Sequence, residues 1–373
     1  MLESQAVEST PLPAPEGVRD GFLLPRGDFE AVEQVLRAFL LEQEASSDAP
    51  EVAELVGWVG RALSGGKRLR PLLCCLGWRA GGGTGRLPEA VARVAASLEM
   101  FHTFAVLHDD VMDAAPERRG QPTAQRVVAA RHADHPQADL LGMHTAILLG
   151  DIALGWSYEL VCGADIGALR KARIEQALAT MRTETVVGQY LDLTDSGYDR
   201  LDVAADVDRA LRIARGKTAG YSVAWPLHVG AVLAGADETV VATLDKFGVA
   251  IGEAFQLRDD LLNVFGHTAT TGKPTGDDLC HGKHTVLLAV AWRRADSHQR
   301  AALSRLMTRT CLDAAGLEEA RTILTATGAR FAVEELIAAR FAQAQQALAE
   351  TLLPADAAAT LTDLARMAVD RDR

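Results

Sequence analysis

The stretch LHDDVMDAAPERRGQPT, Leu107 to Thr123, sets three acidic side chains, Asp109, Asp110 and Asp113, just ahead of two adjacent arginines, Arg118 and Arg119. In a helix, Asp109 and Asp113 are four apart and share a face, while Asp110 is turned by about 100°. Three carboxylates this close repel one another unless a cation lies between them. Mg²⁺ suits the place, because it takes hard oxygen ligands, commonly one or two carboxylates plus substrate phosphates. The arginines add planar forks matched to phosphate oxygens. The pattern points to a metal–diphosphate site, against the blander alternative of a solvated, charged helix end.

The apolar residues leading into this stretch recur at helical spacing. Val91, Val94, Ala95, Leu98, Phe101 and Ala105 share one face of a helix predicted from Pro88 to about Met112. The same helix carries Glu99 and His102, the histidine two turns before Asp109. Upstream, helices are expected over Asp28 to Glu44, with Asp28 as N-cap, then Glu51 to Leu63 and Leu72 to Ala80. Downstream they are expected over Gln121 to Arg131, Gln137 to Cys162, Ile166 to Thr194, Val203 to Ala224 and Asp237 to Phe265. From Thr285 the tail alternates further helices rich in Ala and Leu. No segment alternates convincingly with period two. The fold class is therefore all-α, and helices of 20 to 28 residues, about 30–42 Å long, suit the walls of one helical bundle around an apolar cavity. Met1 to Gly27, with Pro11, Pro13, Pro15 and Pro25, reads as a disordered leader. No linker divides Asp28 to Arg373, which is expected to form one domain.

Composition narrows the field. The chain has 373 residues, 48% of them hydrophobic, and a net charge of −12, so a large core is affordable and nucleic acid is a poor partner. Five cysteines without a CxxC pair fit a reducing, cytoplasmic setting with neither a disulfide framework nor a structural zinc. The N-terminus lacks a basic start followed by an apolar run, and no stretch of about 18 uncharged apolar residues stands out, so neither a signal peptide nor a membrane span is expected.

Against this acidic background the basic clusters stand out. Ser64 to Pro71 reads SGGKRLRP, with Gly65 and Gly66 ahead of Lys67, Arg68 and Arg70; a helix–helix turn with exposed charges is the alternative reading. GKT occupies Gly216, Lys217 and Thr218. Gln256 to Asn263, QLRDDLLN, repeats the paired carboxylates as Asp259 and Asp260, with Asn263 where the first motif has Asp113. The loop TGKPTGDDLCHGKHT, Thr271 to Thr285, adds Lys273 and Lys283. If the two acidic helices face each other, five carboxylates converge on one cavity suited to several Mg²⁺ ions holding a diphosphate. Arg118, Lys217, Lys273 and Lys283 would grip its remaining oxygens, and Lys67, Arg70, His102 and Arg119 would make a second anion pocket. Two anionic substrates above an apolar interior suit the loss of diphosphate from an allylic carbon and capture of the cation by a second molecule's double bond. The metals act as Lewis acids and the walls exclude water.

GGKRLRP, HDDVMD with ERRGQPT, GKT, FQLRDDLLN and the final GK…GDD…GKHT stand in one order. In that order and spacing, from about Asp28 to the C-terminus, the chain resembles the trans-isoprenyl diphosphate synthases of the polyprenyl synthetase family. The resemblance implies that Asp109, Asp110, Asp113 and Asp259 hold three Mg²⁺, with Asp260 in support. Arg118, Lys217, Gln256, Lys273 and Lys283 would face the allylic diphosphate (dimethylallyl, geranyl or farnesyl), with Thr218 beside it. Gly66, Lys67, Arg70, His102 and Arg119 would bind isopentenyl diphosphate. It further implies successive 1′–4 condensation, and a homodimer. Asn263 departs from the pattern, giving an amide oxygen where an acid is expected. In this family the residue five before the first motif often forms the floor of the cavity. Here it is Phe104, with the small Ala105 beside it, which favours a C20 or C15 product over long polyprenyls; ordinary core packing is the alternative for Phe104.

Three other readings compete. A class I terpene cyclase of the same fold needs one substrate and no second anion pocket. A carboxylate-bridged di-iron bundle needs two ExxH pairs, of which Glu99 and His102 supply one. A regulatory subunit of a heteromeric synthase would have lost metal ligands, and Asn263 is the only hint of that.

Overall fold

Apolar residues spaced three and four apart become helix almost everywhere in the computed structural model, which describes residues 25–196, 206–266, 275–307 and 312–370. The bulk of the expected leader, the loop residues around Lys273 and His267, and Cys311 lie outside the described residues. In chain order the helices are α1 (Arg26–Ala45), α2 (Pro50–Leu63), α3 (Leu69–Ala80), α4 (Glu89–Met112), α5 (Ala124–Arg131), α6 (Ala138–Cys162), α7 (Ala168–Asp195) and α8 (Val207–Ala214). A π-helical segment, Arg215–Ala224, leads into α9 (Trp225–Ala234) and α10 (Glu238–Phe265). There follow α11 (Asp277–Cys280), α12 (Val286–Arg294), α13 (Ser297–Met307), α14 (Ala314–Ala326), α15 (Ala329–Ala349) and α16 (Ala355–Val369). Among the described residues the only strands are β1 (Glu117–Arg118) and β2 (Gln121–Pro122), so the all-α expectation holds.

Several expected boundaries move; the helix expected from Leu72 starts at Leu69, and the one expected from Val203 starts at Val207. Asp28 is not the cap of α1; it lies inside the first turn and is buried, and the helix starts at Arg26 behind Pro25. The helix expected from Gln121 begins at Ala124 instead, because Gln121 and Pro122 are taken by the β1–β2 hairpin.

The chain forms two compact units. The first comprises the described residues up to Cys75 together with Thr84–Ala168; the second comprises Leu76–Gly83 and the described residues from Leu169 onward. In the first unit α4 is buried nearly all round, from Val91 to Phe101, and packs chiefly on α6 and α1. Gly150 of α6 makes the close approach possible, since a Cβ there would stand 2.2 Å from the His108 ring. The His108 Nε2 lies 3.0 Å from the Ile147 carbonyl oxygen. The helix carrying the first acidic motif is thereby fixed in rotation just before Asp109.

In the second unit α10 packs on α15 and on the π-helical segment. Three ion pairs, made by two of its residues, lock its rotation around the second motif. Arg258 forks onto both carboxylate oxygens of Glu334, at 2.9 and 2.7 Å. The fully buried Glu253 accepts from Arg215 at 2.6 Å and from Arg340 at 2.5 Å. A buried carboxylate with two guanidinium partners is compensated, whereas removing either arginine would leave it stranded.

Among the described residues two helices, α4 and α6, reach the length and apolar composition of a membrane span. The relevant window of α4 is 67% buried and belongs to the core, while that of α6 is 28% buried. Leu140, Ile147, Leu148 and Tyr158 of α6 are exposed.

Candidate functional site

In the first unit, the residues after α4 fold back as a tight hairpin, with Arg118 opposite Gln121 and Glu117 opposite Pro122. Both turn residues, Arg119 (φ 54°) and Gly120 (φ 70°), are left-handed, the conformation of a two-residue hairpin turn. Glycine adopts it freely. Arg119 does so at a cost in backbone strain and is held there by its own side chain, whose Nη1 donates to the Gly65 carbonyl oxygen at 2.5 Å. Gly66 (φ 118°) leaves room for this guanidinium, as a Cβ would stand 2.7 Å from Nη1. The SGGKRLRP turn and the ERRGQPT hairpin, 54 residues apart, thus meet through Arg119.

Arg118 points the other way, onto the acidic motif. Its Nε donates to Asp110 Oδ1 at 2.6 Å and its Nη2 to Asp109 Oδ2 at 3.0 Å. Asp113 ends α4 as its C-cap. Burial pushes the Asp110 carboxyl above its ordinary range; Arg118 opposes this, and Asp109 and Asp113 add to it. His102 is held well below its ordinary range, first by burial and then by Arg70, Arg119, Arg118 and Arg68. Four guanidinium groups therefore act on one neutral imidazole, which is the electrostatic setting of an anion pocket. Lys67 is exposed beside it in sequence.

Arg68 is not one of the exposed charges of a turn. It is buried, donating to Glu33 at 2.6 Å, to Glu99 at 3.0 Å and to the Leu63 carbonyl oxygen at 2.6 Å. Glu99 is thereby engaged in a structural ion pair, which removes it as a di-iron ligand. Phe104 stands half-buried between the rings of Phe101 and His108, at 5.3 and 4.9 Å, with half-buried Ala105 next to it.

In the second unit Lys217 and Thr218 sit on the π-helical segment, a wide helical form that recurs at functional sites. Gly188 of α7 permits the contact that places them, since a Cβ there would stand 2.2 Å from the Lys217 backbone nitrogen. One turn further along α7, Asp192 accepts from Lys217 Nζ at 2.5 Å. Asp192 belongs to none of the sequence motifs; its signal is its position four residues after the glycine that lets Lys217 approach.

On α10, Asp259 is exposed and Asp260 is buried. Burial pushes Asp260 well above its ordinary range, and the charges of Asp278, Asp259 and Asp192 add to the shift. Its opposing partner is Gln256, whose Nε2 donates to Oδ1 at 2.8 Å, so Gln256 is turned to a carboxylate here. Asn263 is used structurally: its Oδ1 accepts from the Asp278 backbone at 3.3 Å and its carbonyl oxygen from Gly276 at 2.7 Å. Asp260, Asp278 and Lys283 line one small cavity, with Lys283 Nζ 3.9 Å from Asp278 Oδ1.

Among the described residues, no three His, Cys, Asp or Glu side chains form a ready metal cage. That is compatible with Mg²⁺, which keeps waters and is held by one or two carboxylates plus substrate phosphates. The donors fit the ion: all are carboxylate oxygens, and at Asp260 burial and neighbouring acids leave the carboxylate short of positive charge.

The polyprenyl synthetase family model matches residues 55–324, well over half of the chain. The chain belongs to the polyprenyl synthetase family. The (2E,6E)-farnesyl diphosphate synthase of Mycobacterium tuberculosis is 34% identical over 334 residues, 86% of each chain. The short chain isoprenyl diphosphate synthase of Methanothermobacter thermautotrophicus is 34% identical over 65% of this chain and 68% of its own length. Among solved structures, the geranylgeranyl pyrophosphate synthase from Corynebacterium glutamicum, complexed with isoprenyl diphosphate and magnesium, superposes with a TM-score of 0.85 at 36% identity, covering 93% of this chain and all of that one. This polyprenyl synthetase is therefore a prenyltransferase with the isoprenyl synthase helical fold. The matches support prenyl transfer, and neither the one-substrate cyclase nor the non-catalytic subunit.

Proposed function

We propose that the enzyme condenses isopentenyl diphosphate 1′–4 onto an allylic diphosphate and stops at a short all-trans product, C20 or C15. The observation that supports this reading is a cluster of guanidinium groups, Arg70, Arg68, Arg118 and Arg119 (the last anchored on Gly65), whose charges act on buried His102 and suit a second anion pocket. A one-substrate reaction has no use for it. Gly66, Lys67, Arg70, His102 and Arg119 hold the isopentenyl diphosphate. Arg118, Lys217, Gln256, Lys273 and Lys283, with Thr218 beside them, hold the allylic one.

Asp109, Asp110, Asp113 and Asp259, with Asp260 in support, hold three Mg²⁺. When bound, these ions supply Lewis acidity toward the departing diphosphate. The chain's own residues orient both diphosphates and exclude water. Phe104 lies about 7.5 Å of helix before Asp109 and closes the space for the growing tail. The exposed apolar side chains of α6 favour a homodimer, and five cysteines without a CxxC pair fit a reducing compartment.

The test is turnover of labelled isopentenyl diphosphate with C5, C10 and C15 allylic partners in Mg²⁺, with products sized by chromatography. C20 or C15 product that requires isopentenyl diphosphate is expected, and Phe104→Ala should shift it to longer chains. Turnover of the allylic diphosphate alone would overturn the reading, and an unchanged product spectrum would remove Phe104 as the floor.

A further inference from the structure

Arg118 occupies one oxygen on each of two carboxylates proposed to hold metal at the first motif. One guanidinium spans two different carboxylates, with Nε 2.6 Å from Asp110 Oδ1 and Nη2 3.0 Å from Asp109 Oδ2. The contact is sheltered, since only 6% of the Asp110 side chain and 32% of the Arg118 side chain are exposed. Mg²⁺ binds carboxylate oxygen at about 2.0–2.1 Å. A guanidinium at hydrogen-bond distance and a divalent ion cannot share one face of the same oxygens, because two positive centres would be in contact.

The backbone gives Arg118 little freedom to retreat. It is paired across the hairpin with Gln121, and the turn behind it is pinned by Arg119 on the Gly65 carbonyl. Only the side chain is able to swing. Leaving Asp109 and Asp110, it would lose two charge-assisted hydrogen bonds in a half-buried place, a loss that a bare metal ion does nothing to repair. A diphosphate does repair it, because its oxygens accept the same fork.

We propose that Arg118 is the resident counter-ion of the first acidic motif, which opposes the binding of free metal there and favours the binding of metal together with diphosphate. Arg118 thereby does more than hold substrate: it couples the two bindings, so that the carboxylates are exchanged from arginine to metal only when the arginine has a phosphate to take. This rests on the assignment of metal to the first motif made above.

The coupling predicts opposite signs for one substitution. The affinity of the apoprotein for free Mn²⁺ would be followed by the electron paramagnetic resonance signal of the unbound ion. The affinity for a preformed Mn²⁺–inorganic diphosphate complex would be followed by calorimetry. Arg118→Gln should bind free Mn²⁺ at least about fivefold more tightly than the natural protein and the complex at least about tenfold more weakly, an order of magnitude typical of one charge-assisted contact. Arg118→Lys keeps the charge and loses the fork; it should move both affinities the same way by less, and serves if the Gln variant fails to fold. A merely structural role would weaken both. Free Mn²⁺ bound no more tightly by a folded Arg118 variant overturns the proposal. Asp109→Asn separates that failure from failure of the underlying assignment: if it leaves Mn²⁺ affinity unchanged, the metal is not at this motif.

Discussion

The two acidic motifs read almost alike in sequence and manage their charge in different ways. At the first, Asp109 and Asp110 share a guanidinium from a hairpin a few residues on. At the second, Asp260 is buried, its hydrogen-bond partner in the structure is the neutral Gln256, and three further carboxylates act on it. The nearby lysines are drawn to other acids, Lys217 to Asp192 and Lys283 towards Asp278. The first motif is thus compensated by an arginine, whereas at the second burial and neighbouring acids draw Asp260 towards its protonated form. On the metal assignment proposed above, an incoming ion would displace a side chain in one case and compete with protonation in the other. Equal motifs therefore carry unequal costs of binding, and the substitutions that follow probe that inequality.

The largest effect is expected at Asp109. Losing one carboxylate that holds the metal on the leaving group removes several kcal/mol of transition-state stabilisation. About 4 kcal/mol corresponds to a loss of roughly a thousandfold in rate. Asp109→Asn should lower turnover of labelled isopentenyl diphosphate by that order while the far-ultraviolet circular dichroism is kept. Retention of more than a tenth of the activity would mean that the first motif is not the principal metal holder.

Asp260→Asn should cost less, about 10- to 100-fold, in keeping with a group that supports the principal ligands. Its more telling effect is on stability in chelator. A carboxyl whose folded-state pKa is raised binds its proton more tightly when folded. Below the ordinary carboxylate value both states are protonated, and the group costs the fold nothing in linkage. As pH rises from there through the raised value, the folded state must give up a proton it holds and stability falls. Asp260→Asn has no such proton. The melting temperature of the variant minus that of the natural protein should therefore climb with pH across this window and then level off. A difference that is flat with pH would mean that Asp260 is not held in the protonated form. The corresponding slope for Asp110 should be shallower, because Arg118 offsets its burial.

How much of this was legible in the sequence divides along the same line. Helical periodicity placed α4, α6 and α10 within a residue or two, because each is long and apolar enough to dictate its own rotation. The motifs nominated candidate residues in each unit, because metal and diphosphate chemistry leaves few substitutes for carboxylate and guanidinium. What the sequence did not disclose was pairing across distance. Arg68 reads as one of three surface charges and is instead buried between Glu33 and Glu99, on helices 35 and 31 residues away. Arg118 reads as a phosphate ligand and in the structure donates to Asp110 and Asp109. Arg119-Gly120 lacks the Asn-Gly or Asp-Gly signature of a two-residue hairpin turn, so the helix is expected from Gln121 and the hairpin is not. Asp192 lacked a motif of its own. Its partner became evident only once Gly188 had brought the π-helical segment against α7.

Asn263 gives the smallest expected effect and the sharpest check on what the second motif needs. Read as a lost metal ligand, it predicts a damaged site that Asn263→Asp would repair. The structure gives the side chain other work, since Oδ1 accepts from the backbone of Asp278 and the Asn263 carbonyl oxygen accepts from Gly276. A carboxylate could accept the same bond, so the loop would keep its anchor. It would also add charge next to Asp260, which is already pushed up by three acids. The two consequences oppose each other: the metal gains a potential ligand, and the metal-free site becomes harder to ionise. Turnover of Asn263→Asp at saturating Mg²⁺ should stay within about threefold of the natural enzyme, the size of a change near 0.6 kcal/mol. At limiting Mg²⁺ the extra charge should tighten metal dependence modestly. A tenfold gain in turnover at saturating Mg²⁺ would show instead that the second motif is short of a ligand, and that its proton is a symptom of that deficit rather than the way the site balances its charge.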